Sequence, residues 1–232
     1  GYRRTGALLF DRTLTVRRLL AYSLIFFMTL PMQVTAWELS RNDGERGIRV
    51  YLRDNPASSY KSFYAVTHVK NTMGAVVAVL SDVPAMPEWI ARMKSVKLLR
   101  RNANKELWVH ARYQLPYPFL ERETVLYSLM KQDSLTKVVT ITTKSVPGFL
   151  TAHKDRVRLT NMNSTWKLTP EEGGMVRIEF WGEGEPGGYV PSILFNYNLP
   201  DEPVQTLRNL RKMLTREKYQ NRQLSYIRES ED

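Results

Sequence analysis

Near its end the chain reads Gly187-Gly188-Tyr189-Val190-Pro191-Ser192-Ile193-Leu194-Phe195-Asn196, and a proline-containing loop then leads into an amphipathic helix that we predict to begin near Pro203. The apolar residues of this helix recur at spacings of three and four, and they are Val204, Leu207, Leu210 and Leu214. Such spacing places them on one helix face, with the intervening Arg and Lys residues toward water. A long helix laid across a curved antiparallel sheet can enclose a pocket, so this arrangement favours a ligand carrier over an enzyme.

The composition is that of one ordinary globular domain, with 232 residues of which 43% are hydrophobic and 25% charged. The formal net charge of +11 is compatible with nucleic acid and also with anionic lipid headgroups. No helix-turn-helix, zinc-finger or RNA-binding motif accompanies the charge. We therefore expect no nucleic-acid partner and a transient contact with an anionic membrane surface. A basic surface that only improves solubility is the alternative.

The residues that metal and nucleophilic chemistry need are scarce in this chain. The absence of cysteine excludes disulfides, thiolate nucleophiles and cysteine-ligated metals. The histidines, His68, His110 and His153, lie far apart and show no metal-ligand spacing. No Ser-His-Asp order or close carboxylate pair stands out either. We therefore predict no metal, no cofactor and no catalytic residue, and hence a protein that is not an enzyme.

The N-terminal residues have the order of a secretory signal. Arg17 and Arg18 precede the twelve-residue apolar run 19–30, Pro31 ends it, and a small-residue cleavage site closes at Ala36. The run is short of the roughly 20 residues that span a bilayer. We predict a signal peptide over residues 1–36, cleavage near Ala36 and a periplasmic or secreted protein. A retained anchor formed by residues 19–36 is the alternative.

The remaining chain predicts an α+β domain over residues 37–220 and a polar tail over 221–232 that we expect to fray. Thr72 caps a predicted helix over 73–80, and turns are predicted at 42–44, 102–104 and 171–174. Alternating patterns predict strands at 37–39, 47–53, 61–69, 96–101, 105–115, 122–131, 135–144, 153–168 and 173–183. Consecutive strands joined by short turns indicate an antiparallel meander.

Three stretches of the chain resemble the START lipid-transfer domain family. Residues 82–89, Asp-Val-Pro-Ala-Met-Pro-Glu-Trp, are similar to its loop after the first helix, where a Trp follows a proline-containing turn. Residues 115–125 resemble its segment in which Pro is followed by Arg, an acidic residue and Val at the entry to a central strand. Gly188 to Pro191, Asn196 and the Thr-Leu-Arg-Asn-Leu-Arg sequence at 206–211 resemble its signature into the last helix. The resemblance covers roughly residues 37–217.

This resemblance implies the helix-grip (START/Bet v 1-like) fold, a curved antiparallel sheet wrapped around a long C-terminal helix that encloses a hydrophobic tunnel. Family members bind one hydrophobic molecule, usually a phospholipid, sterol or ceramide. We therefore expect an exported, single-domain, monomeric member that binds and transfers a lipid or other hydrophobic small molecule, gated by the C-terminal helix. The alternatives are a cyclase- or hydrolase-like enzyme that acts on a substrate in the cavity, for which Glu88, His110 and Tyr113 could serve as general acids or bases, and a ligand sensor.

Candidate ligand-binding residues come from the faces and motifs described above. Apolar strand and helix positions predict walls of the tunnel, and core packing is the alternative for each: Leu107, Val109, Tyr113, Ile178, Phe180, Leu207, Leu210 and Met213. Trp89 and Asn196 lie in the stretches that resemble the family, and Glu88 and Arg112 are candidates for polar contacts. Arg122 could bind a phosphate or a buried carboxylate, or form an ion pair with neighbouring glutamates.

The segment 182–187 formally matches a dinucleotide-binding glycine pattern. Glu183 and Glu185 would repel a pyrophosphate, and no helix N-terminus follows Pro186. We therefore interpret this segment as a turn.

Overall fold

The computed structural model describes residues 36–230, which form one sheet, antiparallel except for a single short strand, and four α-helices. The strands are β1 (Glu38–Asp43), β2 (Ile48–Asn55), β3 (Ser58–Lys70), β4 (Met93–Asn102), β5 (Glu106–Tyr113), β6 (Arg122–Gln132), β7 (Val139–Ser145), β8 (Val157–Arg158), β9 (Met162–Glu171) and β10 (Met175–Gly184). The helices are α1 (Met73–Ser81), α2 (Met86–Trp89), α3 (Ser192–Asn198) and α4 (Asp201–Met213).

Nine of the strands follow one another in the order β1-β2-β3-β10-β9-β7-β6-β5-β4, and each is antiparallel to its neighbours. The two-residue strand β8 pairs in parallel with the start of β6. Strands β3 and β10 are distant in sequence but pair over eight residues, which joins the two halves of the sheet. The α+β helix-grip fold predicted from the sequence is confirmed, with α4 as the long C-terminal helix packed on the sheet.

Helix α1 begins where the sequence predicts it. The Thr72 hydroxyl accepts a hydrogen bond from the Ala75 N–H at 3.1 Å, which is the expected capping contact. The Glu229 carboxylate accepts further bonds from the N–H groups of Met73 and Gly74, each at 2.8 Å. These contacts satisfy donors that a helix leaves free in its first turn, and the carboxylate also complements the helix dipole.

The C-terminal segment after α4, residues 214–230, includes most of the predicted polar tail and is held against the domain by contacts that extend to Glu229. Tyr219 and Ile227 are buried, and the Tyr219 hydroxyl donates to Asp82 at 2.7 Å. Gln132 and Arg228 exchange two hydrogen bonds, which tie the segment to the end of β6. The polar residues of this segment therefore make specific contacts that its composition does not reveal.

Two strand predictions extend furthest beyond the observed strands. The segment predicted as one strand over 153–168 is a loop as far as residue 161, interrupted only by the two residues of β8, and β9 begins at Met162. Arg158 holds this loop by donating to the backbone carbonyls of Pro147, Leu150 and Thr151. The strand predicted over 135–144 starts later, at Val139, because the Asp133 side chain accepts from the backbone N–H groups at 135 and 136 and closes a turn.

The main hydrophobic core lies beneath α1 and the second half of α4. Leu207, Leu210 and Met213 of α4 are fully or almost fully buried there, together with Val76 of α1 and Ile178 of β10. A second, smaller apolar cluster includes residues of β4, β5 and β6. The cavity described below is lined by residues of both clusters.

The predicted signal peptide and the alternative anchor lie outside the described residues, apart from Ala36. Over residues 36–230, no helix has the length and hydrophobicity to cross a bilayer.

Candidate functional site

A cavity of about 270 Å³ lies between the inner face of the sheet, α2 and the start of α4. Most of its wall is apolar and comes from strands that are far apart in sequence: Phe63, Leu107, Val109, Leu126, Met130, Ile141, Met162, Trp166 and Phe180. Because these residues alternate with outward-facing residues along each strand, their side chains converge on one side of the sheet. The arrangement is suited to a single hydrophobic molecule.

Three aromatic rings form the boundary between the cavity and the main core. Trp166 and Phe180 stack with ring centroids 3.9 Å apart and planes inclined by 8°. Trp89 meets Trp166 edge-on at 5.9 Å. All three rings line the cavity and also contact the core. This stack is a rigid wall because each large ring is held by the next.

The structure brings part of the predicted site together at the cavity. Trp89, Leu107, Val109, Tyr113, Arg122 and Phe180 all line it. Their contact with a ligand stays a prediction, but their side chains share one space. Helix α2 places Trp89 there, and β5, β6 and β10 place the others.

The other predicted site residues lie elsewhere. Ile178, Leu207, Leu210 and Met213 are buried in the main core, because α4 packs on β2 and β3 and Ile178 belongs to the neighbouring strand β10. Glu88 accepts from Arg216 at 2.8 Å, and Arg112 pairs with Glu121. The Asn196 side chain binds backbone groups of Lys61 and Ser59 and so attaches α3 to β3.

Arg122 makes neither of the ion pairs that its acidic neighbours suggest. The residue is 3% exposed, and its guanidinium donates to the carbonyls of Pro186 at 3.0 Å, Gly187 at 3.1 Å and Leu120. Within the described chain it has no carboxylate partner. Burial lowers the pKa of this side chain. Its bonds hold the loop after β10 against the loop before β6, so Arg122 positions the end of the cavity.

The acidic neighbours of Arg122 point to the opposite face of β6, since successive strand residues alternate. Glu123 is 2% exposed and accepts from the His153 N–H at 2.7 Å, Arg158 at 2.9 Å and His110 at 3.0 Å. Burial opposes ionisation of this carboxyl, but these partners together with Arg156 lower its pKa to about 2. His110 is therefore part of an ion-pair cluster outside the cavity, and of the three candidate acid–base residues only Tyr113 lines the cavity.

Several polar groups in the cavity wall have no precedent in the sequence patterns. Arg92 and Glu202, on the α2–β4 connection and the first turn of α4, form an ion pair that lines the cavity. Ser128 and Thr143 form a cross-strand hydrogen bond at 2.8 Å. The Trp89 indole N–H is buried without a partner in the described residues. The sequence patterns could not predict the two pairs, because the members of each pair come from separate elements of the fold.

One end of the cavity is bordered by residues 115–121, residues 185–191 and helix α3, which we call the mouth segments. They contribute Leu115, Pro186 and Phe195 to the cavity wall. Tyr60 holds them by donating to the Val190 carbonyl at 2.8 Å and by packing edge-on against Phe195. Their outer surface exposes a group of large apolar side chains: Tyr117, Leu120, Tyr189, Ile193, Leu194 and Tyr197.

Comparisons with known proteins agree with this architecture. A crystal structure of the STAR-related lipid transfer protein from Xanthomonas axonopodis is 27% identical in sequence and superimposes with a TM-score of 0.72, covering 78% of this chain and 99% of that chain. Human StAR-related lipid transfer protein 5 has a TM-score of 0.66 at 13% identity, over 86% of this chain and 95% of that chain, which shows a shared fold.

An uncharacterized protein of Pseudomonas aeruginosa is 29% identical over 175 residues, or 75% of this chain and 85% of that protein. No protein-family model matches the chain. The fold, the apolar cavity and the similarity to lipid-transfer proteins together imply binding of a hydrophobic ligand.

Proposed function

Because this chain belongs to the START domain family, we propose that it binds one compact hydrophobic molecule in its cavity and transfers it between membranes. The observation that carries the proposal is the largely apolar cavity, whose boundary includes the mouth segments and the first turn of α4. Removing apolar surface from water contributes about 25 cal/mol per Å², so burial in such a wall supplies the affinity. A volume of about 270 Å³ lies just below the range of roughly 300–1,000 Å³ that is typical of small-molecule sites, which favours a small ligand.

Exchange of the ligand requires an opening, and we propose that the mouth segments provide it. Helix α4 is held at both ends, by Glu202 with Arg92 near its start and by Arg211 with Thr67 near its end. Helix α3 has no fully buried residue. Elements with few buried contacts open at the lowest free energy. The gate thus consists of α3 and the adjacent loops, with the N-terminal end of α4 as its fixed side.

Membrane contact follows from the same segments. Exposed aromatic and aliphatic side chains at the mouth are of the kind that enter the interface of a bilayer, and Tyr is enriched at that depth. The net charge of +11 favours an anionic surface at long range. Docking at the mouth would let the ligand pass from the bilayer to the cavity without crossing water.

Native mass spectrometry of the purified full chain, combined with solvent extraction and lipid analysis, tests binding. We expect a stoichiometric bound small molecule of low polarity. A protein that carries no apolar compound, and takes none up from mixed liposomes, would contradict the proposal.

Transfer between fluorescently labelled donor and acceptor vesicles tests the membrane step. Ile193→Ser removes an apolar residue that is 85% exposed at the mouth, and Leu135→Ser removes one that is 88% exposed in the β6–β7 turn, at the other end of β6. We expect Ile193→Ser to slow transfer several-fold at anionic vesicles, with ligand binding and thermal stability unchanged, and Leu135→Ser to leave the rate unaffected. If the two variants slowed transfer equally, the mouth segments would have no specific role in it.

We also propose that the protein is exported after cleavage near Ala36. The support is the signal-like order of residues 17–36. Expression of the full chain in a bacterial host, fractionation and N-terminal sequencing test it. A mature chain that starts at or near Trp37 in the periplasm is expected, and an uncleaved chain in the cytoplasm would contradict export.

A further inference from the structure

We propose that Tyr113, Arg92 and Glu202 bind the polar group of the ligand, and that this ligand is a neutral molecule whose polar group both donates and accepts a hydrogen bond, such as an alcohol or a primary amide on a compact apolar body. This inference rests on the proposed binding function and narrows its ligand class. It concerns the corner of the cavity where β5 ends and α4 begins.

Backbone contacts bring the three side chains to this corner. Tyr113 is paired with Met93 across β5 and β4, and the Gln114 N–H donates to the Arg92 carbonyl at 2.9 Å. The Ala91 N–H donates to the Thr206 hydroxyl at 3.1 Å, which joins the α2–β4 connection to α4. These bonds fix the residues that carry Tyr113, Arg92 and Glu202, and all three side chains line the cavity.

Tyr113 offers an unused hydrogen-bond donor. Its hydroxyl has no partner among residues 36–230, although tyrosine hydroxyls in protein interiors usually have one. Burial, reinforced by the nearby Glu202 charge, raises the pKa of Tyr113. The phenol therefore stays protonated and is available to donate to an oxygen atom of a ligand.

Glu202 offers an unused acceptor next to that donor. One of its oxygens accepts from the Arg92 Nε, and the other accepts no hydrogen bond in the described structure. Its side chain keeps 37% of its surface accessible and lines the cavity. A ligand group that donates to this oxygen and accepts from Tyr113 would satisfy both residues.

The backbone conformation of Arg92 also supports a role for the Arg92–Glu202 pair in ligand binding. Its φ is 60°, in the left-handed region that a non-glycine residue adopts at a cost in energy. Residues held in this region cluster at ligand sites. Here the unusual backbone carries the side chain that holds Glu202 in the cavity wall.

The charges at this corner select against ionic ligands. Burial raises the pKa of Glu202, and the ion pair with Arg92 opposes this shift. As an ion pair the two side chains carry no net charge, so an anionic head that approaches Arg92 also meets Glu202, and a cationic head meets Arg92. Each would lose its hydration in an apolar cavity without full compensation. A neutral hydroxyl or amide loses far less hydration, and the volume of about 270 Å³ requires a compact body.

Three compounds with the same chain and different heads test the proposal: decan-1-ol, decanoate and decylammonium. Their affinities for the full chain at pH 7 are measured by displacement of the neutral fluorescent probe N-phenyl-1-naphthylamine. We expect decan-1-ol to bind about tenfold more tightly than either ion, which is the loss expected for one unpaired buried charge or hydrogen-bonding group.

Two conservative variants test whether the side chains of Tyr113 and Glu202 cause this preference for decan-1-ol. Tyr113→Phe should weaken decan-1-ol about fivefold and leave the affinity for the neutral probe unchanged, since only the hydroxyl is removed. Glu202→Gln should reduce the discrimination against decanoate, because the opposing charge is gone. Tyr226→Phe is the matched control, since Tyr226 is exposed in the C-terminal segment, away from the cavity wall, and it should change nothing.

The outcomes separate this inference from the proposed function. If the probe binds and the three compounds compete equally, or decanoate binds most tightly, the polar site is refuted and the hydrophobic cavity stands. Decan-1-ol affinity that is unchanged in both Tyr113→Phe and Glu202→Gln refutes it as well. If neither the probe nor any decyl compound binds the folded protein, the proposed function falls together with this site. Should Tyr113→Phe not fold, as judged by circular dichroism, the ion selectivity of Glu202→Gln decides alone.

Discussion

The two ends of helix α4 have different surroundings. At its first turns Glu202, Pro203 and Thr206 line a hollow, whereas Leu207, Leu210 and Met213 pack into the main core against α1 and the sheet. We call these the hollow region and the packed region. Both belong to one amphipathic helix whose inward face continues from one region into the other.

The difference depends on what lies opposite each half of the helix. Opposite the packed half, α1 is buried on almost all sides and the C-terminal segment closes the space through Tyr219 and Ile227. Opposite the other half, the aromatic stack ends the core and no described element fills the space beyond it. An inward-facing residue of α4 is therefore part of the core in the packed region and part of the cavity wall in the hollow region. The spacing of the apolar residues is the same in both.

Leu-to-Ala substitutions should separate the two regions most clearly. Leu210 is fully buried in the packed region, so Leu210→Ala should lower the free energy of unfolding by about 3 kcal/mol through lost burial and a new cavity. Leu107 already borders a cavity and is only half-buried, so Leu107→Ala should cost about 1 kcal/mol and weaken ligand binding instead. Urea unfolding and probe binding measure both. Equal losses of stability would mean that the two regions do not differ in packing.

The converse substitution adds volume to each region. Val76→Phe should destabilise the protein by about 2 kcal/mol, because the packed region has no room for a ring. Val109→Phe should cost less than about 1 kcal/mol, because the ring can enter the cavity, and it should abolish uptake of the probe. A Val109→Phe protein that still binds the probe with full affinity would place the ligand elsewhere.

The stability of the protein in acid should depend on Glu123 and its partners, which lie outside the hollow and packed regions. The pKa of Glu123 is lowered from 4.5 to about 2 in the fold, so its ionised form stabilises the folded state above pH 4.5 and this contribution is lost as the pH falls from 4.5 toward 2. We expect Glu123→Gln to lose about 2 kcal/mol at pH 7 and to show a flatter decline below pH 4.5. Glu45→Gln, at an 88% exposed side chain, is the control. An unchanged acid profile for Glu123→Gln would show that the cluster is not the source of the pH dependence.

Much of the fold could be predicted from local patterns. The Thr72 cap predicted α1, the three-and-four spacing predicted α4, and the turns at 102–104 and 171–174 joined the strands as expected. These features depend on neighbours in the sequence, which a pattern records directly. The sequence patterns do not predict the loop at 146–161 or the packing of the C-terminal segment. Both depend on side chains, those of Arg158 and Glu229, that bind backbone groups outside the reach of a local pattern.

The candidate site could be predicted only in part. Trp89, Leu107, Val109, Tyr113, Arg122 and Phe180 share the cavity wall, whereas Ile178, Leu207, Leu210 and Met213 lie in the core. Glu88, Arg112 and Asn196 have partners away from the cavity. The Arg92–Glu202 pair was missed because more than a hundred residues separate its members, and neither belongs to a motif.

Local sequence patterns are enough to predict most helices and strands and the faces that they turn inward, because hydrophobic periodicity and capping act over a few residues. The tertiary structure decided where the interior is solid and where it is hollow, and which polar groups meet at the wall. Those properties depend on the distance between elements that are remote along the chain, and the packing of α1, the aromatic stack and the C-terminal segment sets that distance.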